Sequence, residues 1–275
     1  MRTTRGEIAL RYALLLLVFV VSIGPFAWQL ATSLKAPTED IYTYPPSLLP
    51  EDPTLANYGR VAEVVPVWRY AFNSLLVGVA TVVSNCVFAA MGGYALARMV
   101  FRGRGLAALT FLATLLIPGE AVLISVFLTV RSMGLADTLT GVWLPGAVGA
   151  INVLLLRNAF LALPHEVEDA AAVDGANTWQ RFWRVALPSV KGTLAVVAIL
   201  SFMAAWDDFL WPLIILSDPD KYTLTVGLQS LSGTFSNDQR LVAAGTMISV
   251  APLLAMFFAL QRYFFKGLGE GALKG

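Results

Sequence analysis

Six stretches of the chain, at about 12–34, 71–96, 106–130, 141–160, 193–216 and 241–263, run 20 residues or more with no more than two charged side chains apiece. A helix rises about 1.5 Å per residue, so roughly 20 apolar residues span the hydrocarbon core of a bilayer. Lipid offers no partner to a free backbone N–H or C=O, which leaves helices as the spanning form for runs far longer than an ordinary strand. The expected fold is therefore all-α: a polytopic membrane protein of six transmembrane helices, forming a single domain over residues 1–275. With 57% hydrophobic and only 13% charged residues, and a mean hydropathy of +0.69, the chain cannot cover a water-facing surface of its own. A net charge of +1 gives no basic face for nucleic acid. One cysteine, Cys86, and one histidine, His165, are too few for a disulfide framework or a Cys/His metal cluster, so no metal site is expected.

Several spans carry residues that interrupt helices: Gly24-Pro25, Pro118-Gly119, Pro145-Gly146, Pro212 and Pro252. Membrane bundles tolerate these, often beside a cavity. Placing the N-terminus inside puts thirteen of the nineteen Lys and Arg residues in cytoplasmic segments; only Lys35, Arg60, Arg69, Arg131, Lys221 and Arg240 fall outside. The positive-inside bias then places both termini in the cytoplasm. The first apolar run is about twice the length of a signal-peptide core and contains Gly24-Pro25 and Trp28, so an uncleaved first helix is expected. The outer segments 35–70 and 217–240 exceed turn length and carry acids, enough to meet a partner outside.

The loop 161–192, between the fourth and fifth spans, is the most informative segment. Pro164 suits the first helical position, Glu166, Glu168 and Asp169 suit the positive end of the helix dipole, and Gly175 suits a left-handed stop. A second short helix follows, capped by Asn177 or Thr178, with Trp179, Phe182, Trp183 and Val185 clustered before Leu187-Pro188. Burying each large apolar side chain contributes roughly 1.5 to 3 kcal/mol, so the aromatics must be covered. The bundle, a partner protein or the lipid headgroups are the three covers available.

Acids within a span are costly and usually face the bundle interior or a watery path. Here they are Glu120, Asp207 and Asp208. Glu120 and Asp207 each lie about 14 residues from the cytoplasmic start of their spans, roughly 21 Å along a straight helix, which puts them at one depth. Ala204, Asp207, Asp208 and Trp211 fall on one stripe of a continuous helix. Carboxylates beside an aromatic suit a sugar, as acceptors and a stacking face; the same acids equally suit bonds that only hold a bundle together. Asn85 and Asn152 read as interhelical bonds rather than ligands.

Asp169-Ala170-Ala171, Gly175, Val185 and Leu187-Pro188 reproduce the spacing of the EAA loop, Glu-Ala-Ala, three residues, Gly, nine residues, Ile, one residue, Leu-Pro, with Asp for Glu and Val for Ile. The chain thus resembles bacterial ABC-importer permeases. Ser33-Leu34-Lys35, Asn73-Ser74-Leu75-Leu76-Val77, Tyr94-Ala95-Leu96-Ala97-Arg98, Trp206 to Pro212 and the ending from Gly267 to Gly275 resemble the maltose-type carbohydrate branch, subunits similar to MalG, over nearly the whole length.

The resemblance implies the ABC type I importer fold in a bacterial plasma membrane. It makes Asp169, Ala170, Ala171, Asp174, Gly175, Ala176, Trp179, Phe182, Leu187 and Pro188 the surface that couples to an ATPase. The implied partners are a second homologous permease, an ATPase dimer and an extracytoplasmic solute-binding protein, besides membrane lipid. No Lys follows a Gly anywhere in the chain, so it has no phosphate-cradling Gly-Lys; ATP and Mg belong to the partner, and no cofactor or catalytic residue is expected here. The solute implied is a carbohydrate, such as an amino sugar or oligosaccharide, along a path touching Glu120, Asp207, Asp208 and Trp211. A glycerol-phosphate or glycerophosphodiester importer is the alternative within the class, and a secondary transporter is the alternative outside it.

Overall fold

The structure is a computed structural model, and it describes residues 5–45, 47–232 and 238–272. The terminal Arg2 and Lys274, the last residues of the C-terminal motif (273–275) and positions 233–237 of the second outer segment lie outside the described residues. Among the described residues the chain is helical throughout, with no strand. In chain order the helices are α1 (Arg5–Ser33), α2 (Ala56–Val64), α3 (Val67–Ser84), a π-helical turn at Asn85–Ala89, α4 (Ala90–Arg98), α5 (Arg104–Thr114) and α6 (Gly119–Ser132). They continue as α7 (Leu139–Trp143), α8 (Ala150–Leu161), α9 (His165–Val173), α10 (Thr178–Arg181), α11 (Leu187–Ser189), α12 (Lys191–Asp207), α13 (Leu210–Ile215), α14 (Leu224–Leu228) and α15 (Gln239–Ala272).

Three runs, Gly6–Ser33, Val67–Arg98 and Gln239–Ala259, are long and apolar enough to cross a bilayer unbroken, and six spans result if each of three bent pairs counts as one. Pro25 and Pro252 are absorbed within α1 and α15. Elsewhere proline breaks the path. At Pro118 the backbone is extended, with ψ 134°, and α5 and α6 meet at 106°; a proline cannot continue a helix without losing a backbone bond and clashing with the preceding turn. Pro145-Gly146 sits in the 43° bend between α7 and α8.

The chain forms two compact units. In the first, Met1–Trp68 with Gly227–Ala251, the buried Lys35 stands 3.3 Å from Glu39, donates to the Ser47 carbonyl at 2.8 Å, and lies over the Trp28 ring. Arg240 donates to the carbonyls of Ala36, Pro37 and Glu39 and pairs with Asp238 at 2.8 Å. Burial works to raise the pKa of Asp238, but the bonds from Arg240 prevail and hold it below the usual carboxylate range.

In the second unit, Arg69–Val226 with Pro252–Gly275, α4 crosses α8 so closely that a Cβ at Gly93 would lie 2.8 Å from the Arg157 amide nitrogen. Val153, Leu156 and Phe160 are buried there against Ala89, Ala90 and Tyr94. Further along the same span, Asn85 ties the second span to the fourth. Its amide donates to Thr81 and Gly146 carbonyls at 3.0 Å, and its Oδ1 accepts from Gly149 N at 2.7 Å and Asn152 Nδ2 at 2.9 Å. Asn152 also donates to Ser201 Oγ at 3.0 Å. Between α6 and α7 Asp137, in the left-handed region at φ 55°, accepts from the amides of Ser217 and Asp218 and from Lys221 at 2.8 Å. The Lys221 bond and the two amides hold Asp137 at a pKa of about 2.

Candidate coupling loop and intramembrane cavity

The loop between α8 and α12 folds as two short helices at a fixed corner. Pro164 stands at the N-cap of α9 with ψ 137°, one position earlier than its preference for the first helical residue. Gly175 has φ +83°; its N–H bonds to Ala172 O and the next N–H, of Ala176, to Ala171 O at 2.9 Å. That pair of bonds satisfies the last carbonyls of α9 and needs the left-handed region at Gly175. Asn177 then caps α10: its Oδ1 accepts from Gln180 N, and Gln180 Oε1 accepts from Asn177 N, both at 2.9 Å. The reciprocal bond, from Asn177 N–H to Gln180 Oε1, completes a capping box.

The aromatic cluster divides between two environments. Phe182 is 3% exposed, packed on Tyr94 and Phe160, whereas Trp179 is 56% exposed and Trp183 stands beside it. Phe182 therefore seats the loop on its own bundle and is not free to meet a partner; Leu187 likewise packs against the buried core. Asp169, Ala170, Asp174, Gly175, Trp179 and Pro188 are exposed, and Ala171 and Ala176 are half-buried.

Glu168 is the acid of α9 that turns inward, while Glu166 and Asp169 stay exposed. Arg98 Nε stands 3.0 Å from Glu168 Oε1, a charge contact off the N–H axis, with the two side chains 4% and 8% exposed. Tyr94 Oη donates to Glu168 Oε2 at 2.8 Å, and Arg98 Nη2 to the Leu163 carbonyl at 2.6 Å.

Within the second unit lies a cavity of about 520 Å³ whose lining includes Thr81, Asn85, Asn152 and Ser201, the apolar Val77, Leu123 and Val142, and Glu120, Trp143, Asp208 and Trp211. Asp207 is exposed and does not line it. Two expectations from straight helices fail here. The bend at Pro118 starts α6 anew just before Glu120, so distance along the third span does not set its depth. α12 ends at Asp207, and Asp208 is extended with ψ 123°, so Asp207, Asp208 and Trp211 share no helical stripe. Asp208 Oδ1 accepts from Trp211 N at 3.3 Å and its carbonyl accepts from Thr225 Oγ1 at 2.7 Å. Trp211 is 8% exposed and donates its indole N–H to Gly141 O at 3.2 Å, so much of its ring serves packing. Glu120, in the first turn of α6, is exposed.

Residues 111–270 match the family of binding-protein-dependent transport system inner membrane components. The chain belongs to that family. The permease is 36% identical over 208 residues, 76% of this chain and 75% of the relative, to the arabinooligosaccharides transport system permease protein AraQ of Halalkalibacterium halodurans. It is 32% identical over 270 residues, 97% and 89% of the two chains, to the diacetylchitobiose uptake system permease protein NgcG of Streptomyces coelicolor. Its fold matches, with a TM-score of 0.82 at 26% identity and covering 96% and 99% of the two chains, a bacterial ABC transporter involved in the import of the acidic polysaccharide alginate. The permease is thus a multi-pass inner-membrane subunit with the ABC-importer permease fold.

Sequence reasoning placed the corner at Gly175 and missed what holds the loop to the bundle. Arg98 and Glu168 are 70 positions apart, and neither periodicity nor capping signals a pair at that distance. The ending Tyr94 to Arg98 was visible only as a motif, without a role.

Proposed function

We propose that this permease imports a neutral or amine-bearing saccharide, an oligosaccharide or amino sugar, driven by a separate ATPase dimer that grips the exposed face of the α9–Gly175–α10 corner. A second permease completes the path, and an extracytoplasmic binding protein delivers the solute. Both termini face the cytoplasm. The observation that carries the reading is the corner itself: a rigid two-helix projection, capped at both joints and seated through Phe182, that presents Asp169, Ala170, Asp174 and Trp179 outward. A short helix with small residues and one aromatic anchor suits a groove on a partner.

Support for the solute comes from relatives named for arabinooligosaccharide and diacetylchitobiose transport and from a cavity whose volume falls in the range of small-molecule sites. Glu120 and Asp208 at this cavity give acceptors for hydroxyl or ammonium groups and repel anionic sugars. In the alginate importer the same fold serves an acidic polymer, so charge preference is a property of the lining rather than of the fold. Mild purification of the tagged chain tests the reading: an ATPase, a second permease and binding-protein-dependent saccharide uptake in proteoliposomes are expected. A chain that purifies without an ATPase, or whose complex prefers uronic acids to neutral and amino sugars, refutes it.

A further inference from the structure

We propose that Arg98, Glu168 and Tyr94 form the joint through which the coupling loop moves the wall of the cavity, a role that rests on the permease being driven by a separate ATPase. The C-terminal half of α4 touches each part of the loop. Arg98 holds its entry at the Leu163 carbonyl, 2.6 Å away, and pairs with Glu168 of α9 at 3.0 Å. Tyr94 bonds to the other Glu168 oxygen at 2.8 Å and packs its ring 5.1 Å from Phe182, at the foot of α10. The same unbroken helical run, Val67–Arg98, supplies Val77, Thr81 and Asn85 to the cavity. One helix therefore has a loop fastened at its cytoplasmic end and a cavity wall further along.

The chemistry of the fastening distinguishes a joint from mere packing. An apolar contact resists compression but slides under shear, whereas a buried charge pair whose second carboxylate oxygen also accepts a hydrogen bond resists displacement along more than one direction. A buried pair is a poor choice for stability, because apolar residues of similar volume often hold as well or better; its recurrent use is to fix one register. Arg98 and Glu168 are thus positioning residues, and their effect belongs to the transfer of motion rather than to docking of the ATPase or to ATP hydrolysis.

The full importer complex in proteoliposomes, with solute uptake and ATP hydrolysis measured together, tests this. Three variants are compared: Glu168→Gln, Tyr94→Phe, and the double replacement Arg98→Met with Glu168→Leu, which removes the charges without leaving one unpaired. Glu168→Gln and the double variant are expected to retain the ATPase and its basal hydrolysis while solute moved per ATP falls by about tenfold, with a smaller fall for Tyr94→Phe, in the range of ordinary coupling energies. A double variant that couples like wild type overturns the proposal. Loss of ATPase binding in all the variants overturns it too, because the pair would then fold the loop rather than transmit its motion. A wild-type chain that carries no ATPase is the separate result that sinks the functional reading beneath it.

Discussion

Two glycines carry opposite lessons about side-chain space. Gly175 has nothing near its missing Cβ; its constraint is conformational, φ +83°, where an L-residue pays about 1–2 kcal/mol and a β-branched one is a rare outlier. Gly175→Val is expected to reach the membrane at normal yield but lose uptake, while Gly175→Asn keeps much of it, since asparagine tolerates the left-handed region; uptake per amount of inserted protein decides. Normal uptake by the valine variant would reduce Gly175 to an ordinary helix stop. Gly93, with φ in the helical range, is constrained by contact. Alanine in a helix normally gains roughly 0.5–1 kcal/mol over glycine, yet a Cβ at Gly93 meets backbone of α8 at 2.8 Å, whereas one at Gly92 meets only Val153 methyls at 3.6 Å. Gly92→Ala should be neutral or mildly stabilising and Gly93→Ala destabilising by about 1–3 kcal/mol, read as thermal unfolding in detergent. The left-handed corner was legible because it is local: an alanine-rich helix, a glycine, then asparagine. Which of two adjacent glycines faces α8 depends on helix rotation, and the Gly-Gly pair is silent on that.

At the level of helices, the sequence marks where spans break but not by how much. Pro118-Gly119 and Pro145-Gly146 are equally visible signals, yet the bends are 106° and 43°. The difference lies in what surrounds the break: Asn85 binds the Gly146 carbonyl and Gly149 amide and keeps the fourth span close to the second, while the descent from α5 to α6 has the exposed Leu116 and Ile117. Such bonds join residues 61 and 64 positions apart, beyond any local pattern. Asn85→Leu should therefore lower thermal stability by about 2–4 kcal/mol, through buried partners left unpaired, with a melting curve as the check. The clasp at Asp137 belongs to the same class. Its carboxyl is held down from 3.8 to about 2, chiefly by Lys221, so the stability it gives is present above pH 4 and is lost as pH falls through about 2. Lys221 is raised above 10.5, chiefly by Asp137, so its share is present below that value and disappears at higher pH. Between pH 5 and 9, well within both limits, Asp137→Asn should lower the melting temperature by a small, constant amount. A difference that varies steeply across that range would assign the clasp to another titrating group.

For the whole chain the decisive quantity is orientation, because the proposed motor and the proposed solute receptor act on opposite sides of the bilayer. Thirteen positive charges against six argue for cytoplasmic termini, and the same assignment puts the α9–Gly175–α10 corner and the arginine-rich 98–104 segment together on the motor side. It puts the Lys35–Glu39 and Asp137–Lys221 pairs outside. One exposed position reports on each side: Val100, 96% exposed between α4 and α5, and Leu49, 75% exposed between α1 and α2. In a Cys86→Ala background, a membrane-impermeant maleimide added to intact cells stripped of any outer membrane should label Leu49→Cys and spare Val100→Cys, and inverted vesicles should reverse the pattern. Cys86 is removed first because its half-buried thiol would otherwise give a background signal. Labelling of Val100→Cys from outside would turn the corner away from every source of ATP, and a motor-driven permease could then not be built on this loop at all.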